Sequence, residues 1–178
     1  MHQPQDDARQ RAARVRLLAM DVDGTLTDGS LVIGADAELA KAFCVRDGFG
    51  LTLLARVGIE LVLITGRRSG IVERRAAELG IRRVHQAVKD KLSTLRQVCA
   101  DCGVALADTC FVGDDWPDLP PMSACGLAAA PADAVEEVRR AAHWVAGSPA
   151  GHGAVRELAM FILDAQGRRG ELLAHYRA

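Results

Sequence analysis

Three short apolar runs end on the same kind of polar step, and that repetition limits the fold more than any other feature of the chain. Leu17 to Val22 runs through Asp21 into Asp23-Gly24, Glu60 to Thr65 runs into Gly66-Arg67, and Thr109 to Val112 runs into Gly113-Asp114-Asp115. Short apolar runs of this kind, closed by glycine and acid, read as strands buried on both faces. Stretches with helical spacing separate them. The pattern predicts helices from Asp47 to about Val57, from Ser69 to Leu79, and from Lys89 to about Cys102. Val155, Leu158, Ala159, Ile162 and Leu163 mark an amphipathic C-terminal helix closed by Gly167. Further short strands are expected at Arg83 to Gln86, Leu127 to Ala129 and near Trp144.

Strands alternating with helices imply an α/β fold built on a doubly wound, mostly parallel sheet. Ligands of such sheets bind beyond the C-terminal ends of the strands. Asp21, Asp23, Thr65, Asp114 and Asp115 should therefore converge on one site. Leu31 to Ile33 and Leu39 to Val45, joined by Gly34-Ala35-Asp36, read as a hairpin flap over about residues 28–46. Its second arm places Phe43 and Val45 on one face and Ala42 and Cys44 on the other. Both faces are apolar, so the hairpin is expected to pack against another chain. Residues 1–14 are polar and read as a disordered tail, leaving 15–178 as a single domain.

Composition narrows the function. With 22 Lys+Arg against 23 Asp+Glu, the formal net charge is −1, which argues against a nucleic-acid partner. No apolar run approaches the roughly 18 residues of a membrane span, and the N-terminus lacks a signal-peptide pattern, so a cytoplasmic location is expected. Five cysteines, an odd number, fit free thiols in a reducing compartment. Cys99 and Cys102 form a CxxC, but no second pair at metal spacing accompanies it. Both follow the helical face of Leu92 and Leu95 and read as core thiols.

Asp21 and Asp23 lie at i and i+2 and point to one side of an extended chain. Two acids this close repel unless a cation or shared proton intervenes, and a hard ion such as Mg²⁺ suits their oxygens. Gly24 lets the backbone turn closely over an anion. A strand-end turn with capping acids would use the same residues. Thr65, Gly66 and Arg67 offer a hydroxyl, a close backbone and a cation to phosphate oxygens. Lys91, near a helix start where a phosphate would find free N–H groups, taken alone reads more readily as a solvated surface residue. Asp114, Asp115 and Asp118 put three acids within five residues, where helix capping and metal binding are both open.

Taken in order, DVDGTLT, the Thr of ITGR, Lys91 and GDDWPD resemble the four motifs of the haloacid dehalogenase superfamily, over Leu17 to about Gly167. More narrowly, the chain resembles the 3-deoxy-D-manno-octulosonate 8-phosphate (KDO 8-phosphate) phosphatases. DVDGTLTDG, FCVRDGFG, ITGRRS, RRAAELGI, DKL, GDDWPDLP, GHGAVRE and ILDAQG carry that match. The resemblance implies a Rossmann-like haloacid dehalogenase fold with a β-hairpin flap and no cap domain. It also implies Mg²⁺-dependent hydrolysis of KDO 8-phosphate, a step of lipopolysaccharide precursor synthesis. Asp21 would be the nucleophile. Asp23 would protonate the leaving group and then deprotonate water. Asp21, the Asp23 carbonyl and Asp114 would hold the metal. Thr65, Gly66 and Lys91 would bind the phosphoryl group, and Arg67 and Arg46 the substrate. Asp115 would orient Lys91 or a metal-bound water, with Asp118 as a further supporting acid.

The Gly-Gly-x-Gly that usually precedes AVRE or AFRE in this family is here Gly147-Ser148-Pro149-Ala150-Gly151-His152-Gly153, and the tail after Gly170 is short. A phosphatase for another sugar acid, such as a nonulosonate 9-phosphate, would share these motifs. A phospho-accepting receiver module would carry its acid pair before the nucleophile, the reverse of the order here. At 178 residues the chain has no room for a separate lid. With only the hairpin to cover the site, a homo-oligomer with shared active sites, a homotetramer, is the expected assembly.

Overall fold

The structure, a computed structural model, describes residues 4–177. The apolar runs form the middle of a six-stranded, fully parallel sheet. Its strands are β1 (Leu17–Met20), β4 (Glu60–Ile64), β5 (Arg83–His85), β6 (Thr109–Val112), β7 (Leu127–Ala130) and β8 (Trp144–Val145). Their spatial order is β5-β4-β1-β6-β7-β8. Central β1 pairs in register on both edges, Met20 lying opposite Leu63 of β4 and Val112 of β6. The chain leaving β1 is thus flanked by the chains leaving β4 and β6. That is why the three polar steps meet.

Each face of the sheet is covered by helices. Leu18, Met20, Leu61, Leu63 and Val112 point into one core, with Leu51, Leu54, Leu158 and Ile162. Those last four come from α2 (Val45–Arg56) and α7 (Ala154–Ala165). Leu17, Ala19, Val62, Ile64 and Phe111 point into the other core. There they meet α4 (Lys91–Cys102), α5 (Leu119–Ala124) and α6 (Glu136–Ala141). The helix α3 (Gly70–Glu78) follows β4 and buries Val72 and Ala76. Among the described residues, no helix is long and apolar enough to cross a membrane.

Four expectations need correction. The segment read as a tail carries α1 (Pro4–Ala12), whose Ala8 and Ala12 are buried. Arg11 anchors it by donating to the Gly126 carbonyl at 2.8 Å. Two alanines spaced i, i+4 make a contact face too small to stand out in a polar sequence. Second, the hairpin is shorter than expected, with β2 (Val32–Ile33) paired to β3 (Glu38–Ala40), and Val45 opens α2 instead of extending the strand. Third, Asp47 does not start that helix. It is buried inside its first turn and accepts bonds from the Gly153 and Arg156 amides at 3.3 and 2.7 Å, capping α7 instead. Fourth, of the CxxC pair only Cys99 is fully buried and Cys102 is half-buried.

The chain ends in α8 (Arg169–His175), which folds back on its own subunit. Leu172 packs on the core, and Tyr176 meets Phe49 edge-to-face with centroids 5.5 Å apart. The flap leaves Val32, Ile33 and Leu39 at least half exposed.

Candidate active site

The residues after β1 turn sharply. The amides of Thr25, Leu26 and Thr27 all donate to the Val22 carbonyl, at 2.9–3.2 Å. Gly24 makes this turn at φ +89°, and the space a Cβ would take is filled by the Asp114 carboxylate. Thr25 donates its hydroxyl to Asp114 Oδ1 at 3.0 Å, tying the first acid motif to the last. Asp21 itself is buried and pinned by its amide to the Val112 carbonyl of β6.

Lys91 enters from the first turn of α4, whose preceding residue Asp90 caps the helix through the Ser93 amide at 2.9 Å. The Lys91 ammonium is buried between two carboxylates. It donates to Asp118 Oδ1 at 2.6 Å and lies 3.0 Å from Asp21 Oδ1. The second contact is a buried ion pair, and Lys91 is shared between the two carboxylates. Burial alone would lower the Lys91 pKa, but Asp21 and Asp118 outweigh it and raise it.

Asp118, 1% exposed, uses both oxygens: Oδ1 for Lys91, and Oδ2 for the amides of Asp114 and Asp115 at 3.0 and 3.3 Å. The resemblance implied that Asp115 orients Lys91 or a metal-bound water. The structure gives the Lys91 contact to Asp118, because Asp115 is exposed and caps a helical turn through the Trp116 amide at 2.7 Å. Three residues of helical turn carry Asp118 back under the strand end and Asp115 outward.

Carboxylate oxygens of Asp21, Asp114 and Asp118 lie within 4.8 Å of one another. One buried ammonium does not balance three such acids. Burial, and then the Asp118 charge, push the Asp21 carboxyl up to about 6 despite Lys91. Burial, then Asp21 and Asp118, push Asp114 up to about 7. A divalent cation fits here. Asp21 shares the single Lys91 ammonium with Asp118, Asp114 is held in the Gly24 cradle, and the Asp23 carbonyl accepts no hydrogen bond among the described residues. Asp118 has both oxygens engaged by Lys91 and two amides, which leaves Asp21 and Asp114 the less committed acids of the three.

Thr65 is buried just beyond β4, its amide bonded to the His85 carbonyl, and Gly66 has no side chain to close the approach. Arg67 is half exposed, its Nε 3.8 Å from Asp23 Oδ2. Arg46 is exposed and turns to the His152 carbonyl at 3.5 Å, so it belongs to the altered glycine loop and not to the carboxylate cluster. In that loop Glu157 holds the Gly147 amide at 2.8 Å and the Ser148 hydroxyl, and Gly151 (φ +65°) sits against the backbone of Thr27 and Asp28. The His152 ring contacts the Ala150 carbonyl at 2.8 Å.

Sequence reasoning missed the flap's own polar residues. Lys41 is paired with Asp23 and with Glu38 Oε1, the latter at 2.9 Å, and Glu38 also takes the Ser69 hydroxyl. A glutamate and a lysine three apart in the second arm of the hairpin were the available signal. A cavity of about 470 Å³ lined by Gly58, Glu60 and Arg83 lies at the N-terminal ends of β4 and β5, the opposite edge of the sheet, remote from these groups.

Comparison with known proteins agrees with this geometry. A model of haloacid dehalogenase-like hydrolases matches residues 82–158. The 3-deoxy-D-manno-octulosonate 8-phosphate phosphatase of Yersinia pestis is 42% identical over 161 residues, 90% of this chain and 86% of its own length. The chain belongs to the KDO 8-phosphate phosphatase family. Another KDO 8-phosphate phosphatase, from Haemophilus influenzae, is 38% identical over 90% of this chain and 89% of its own. The family's Moraxella catarrhalis structure, in complex with magnesium ion, phosphate ion and KDO, superposes with a TM-score of 0.93 at 37% identity, covering 96% of this chain and 98% of that one. The doubly wound sheet expected from the apolar runs is this family's fold.

Proposed function

We propose that the chain hydrolyses KDO 8-phosphate to KDO and phosphate. The observation that carries this reading is the likeness, over nearly the whole chain, to the Moraxella structure that holds magnesium, phosphate and KDO together. Asp21 attacks phosphorus and becomes an aspartyl phosphate, while Asp23 gives a proton to the leaving sugar oxygen. Asp23 then takes a proton from the water that hydrolyses the intermediate. Lys91 and Thr65, with the Gly66 backbone, bind the equatorial phosphoryl oxygens, and Asp118 aims Lys91. Asp21, Asp114 and the Asp23 carbonyl hold Mg²⁺, which when bound supplies positive charge against the phosphate and between the acids. Arg67, exposed at the rim beside Asp23, meets the sugar acid's charge. Arg46 stands further out and serves only a substrate that reaches the 147–153 loop.

Steady-state rates with Mg²⁺ on a panel of phosphorylated sugar acids test the substrate. Highest kcat/KM on KDO 8-phosphate is expected, and a preference for a nonulosonate 9-phosphate or a neutral hexose phosphate would overturn it. The working form is a homotetramer whose flaps complete neighbouring sites, a reading supported by the exposed Val32, Ile33 and Leu39. A fully active monomer in sedimentation would refute that assembly. Five unpaired cysteines support a reducing, cytoplasmic location.

A further inference from the structure

We propose that Lys41, reaching in from the flap, is a positioning residue for the second half of the reaction: it fixes the Asp23 carboxylate for taking a proton from water. The inference rests on the phosphatase reading above and assigns work to a residue outside the four motifs. The Lys41 side chain has no exposed surface and ends against two carboxylates, Asp23 Oδ1 and Glu38 Oε1. Glu38 is itself tied to α3, through the hydroxyl of Ser69 that precedes that helix, and the Ser69 amide donates to Gln86 Oε1 at 2.6 Å. A chain of contacts therefore runs from the loops after β4 and β5, through the flap, to Asp23.

This chain engages only one oxygen of Asp23. Oδ2 accepts no hydrogen bond among the described residues, and Arg67 Nε stands 3.8 Å from it. One oxygen is held while the other is left for proton traffic. In the hydrolysis step the water oxygen bonds to phosphorus. The Asp21–phosphorus bond breaks with its electron pair returning to Asp21, and the water proton passes to Asp23 Oδ2. A fixed ammonium against Oδ1 holds the carboxylate in one orientation, with Oδ2 turned to the place the water must occupy. Formation of the intermediate from an activated aryl phosphate needs no proton donor, because the phenolate leaves unaided. The two halves of the reaction should therefore respond differently to loss of Lys41.

The test uses the full chain with Mg²⁺ and p-nitrophenyl phosphate, following the p-nitrophenol burst and the acid-quenched phosphoenzyme. For Lys41→Met we expect an unchanged burst rate, steady turnover lower by about 10- to 100-fold, and a larger trapped phosphoenzyme fraction. Lys41→Arg should restore most of the turnover. Glu38→Gln, which keeps the side-chain shape, should show the same signature more weakly and carries the test if Lys41→Met proves unstable by thermal melting. Unchanged turnover, or equal slowing of burst and steady phases, overturns the proposal. Absence of any phosphoenzyme in Asp23→Asn, whose breakdown step lacks its base, would instead overturn the underlying aspartyl-phosphate reading.

Discussion

Asp118→Asn separates the role seen for this acid from the one the motif alone would give it. Asparagine matches the shape of aspartate but replaces one acceptor oxygen by a donor. Asp118 has no oxygen to spare: Oδ1 takes Lys91 Nζ at 2.6 Å, and Oδ2 takes the Asp114 and Asp115 amides at 3.0 and 3.3 Å. Whichever way Asn turns, its NH₂ faces either the ammonium or the two amides. At a position 1% exposed, a donor left facing a donor costs about 1–3 kcal/mol. In a chain of this size that is about 2–4 °C of Tm per kcal/mol. Part of the loss returns in the metal-free protein, because the Asp118 charge no longer opposes ionisation of Asp21 and Asp114. With Lys91 no longer aimed, kcat should fall by about 10- to 100-fold. The assay pairs thermal melts with EDTA or Mg²⁺ against steady-state kinetics, with Asp115→Asn as control. Asp115 is exposed and only caps a turn, so its variant should lose no more than about 1 kcal/mol and keep its kcat. Wild-type melting and turnover in Asp118→Asn, or equal damage from Asp115→Asn, would refute the reasoning.

Other substitutions and conditions probe the rest of the site. Asp21→Asn should abolish phosphatase activity, and Asp23→Asn should slow it severely with an intact fold; robust turnover by the first would sink the nucleophile assignment. Gly24→Ala forces a Cβ at φ +89° into the Asp114 carboxylate, so it should lose about 1–2 kcal/mol of stability and bind Mg²⁺ more weakly in a calorimetric titration. The metal-free protein should become more stable as pH falls from 8 to 6.5. Asp21 and Asp114 have folded pKa values of about 6 and about 7, above their ordinary 3.8, so the folded state binds more protons across that window. The slope is at most about 1.4 kcal/mol per pH unit for each carboxyl. Below about pH 6.5 protonation of His143, whose folded pKa burial lowers, works in the other direction. Saturating Mg²⁺ should add least to Tm at the acid end, and a metal-free Tm that climbs toward pH 8 would contradict the reading.

The strands were legible because burial on both faces demands continuous apolar runs, and the convergence of Asp21, Thr65 and Asp114 followed from parallel topology alone. The expected Thr109–Val112 strand is the observed β6, and Lys91 opens α4 two residues after the expected start. The helix at 4–12 was hidden because its contact face is two alanines, and apolar periodicity is blind to so small a face. Asp47 was misplaced because a capping acid looks the same in sequence whether it serves its own helix or, as here, one more than a hundred residues away.

By itself the sequence determined which groups stand at the strand ends, since parallel topology brings the residues after three buried runs to one edge, and the motif order they form supplied the resemblance that names the chemistry. Only the tertiary structure decided how that chemistry is divided. Whether Asp115 or Asp118 meets Lys91 depends on the turn of a single short helix, and whether the flap's Lys41 meets Asp23 depends on how a hairpin folds back across the sheet edge. Contacts of that kind are set by direction and distance in space, and spacing along the chain carries neither.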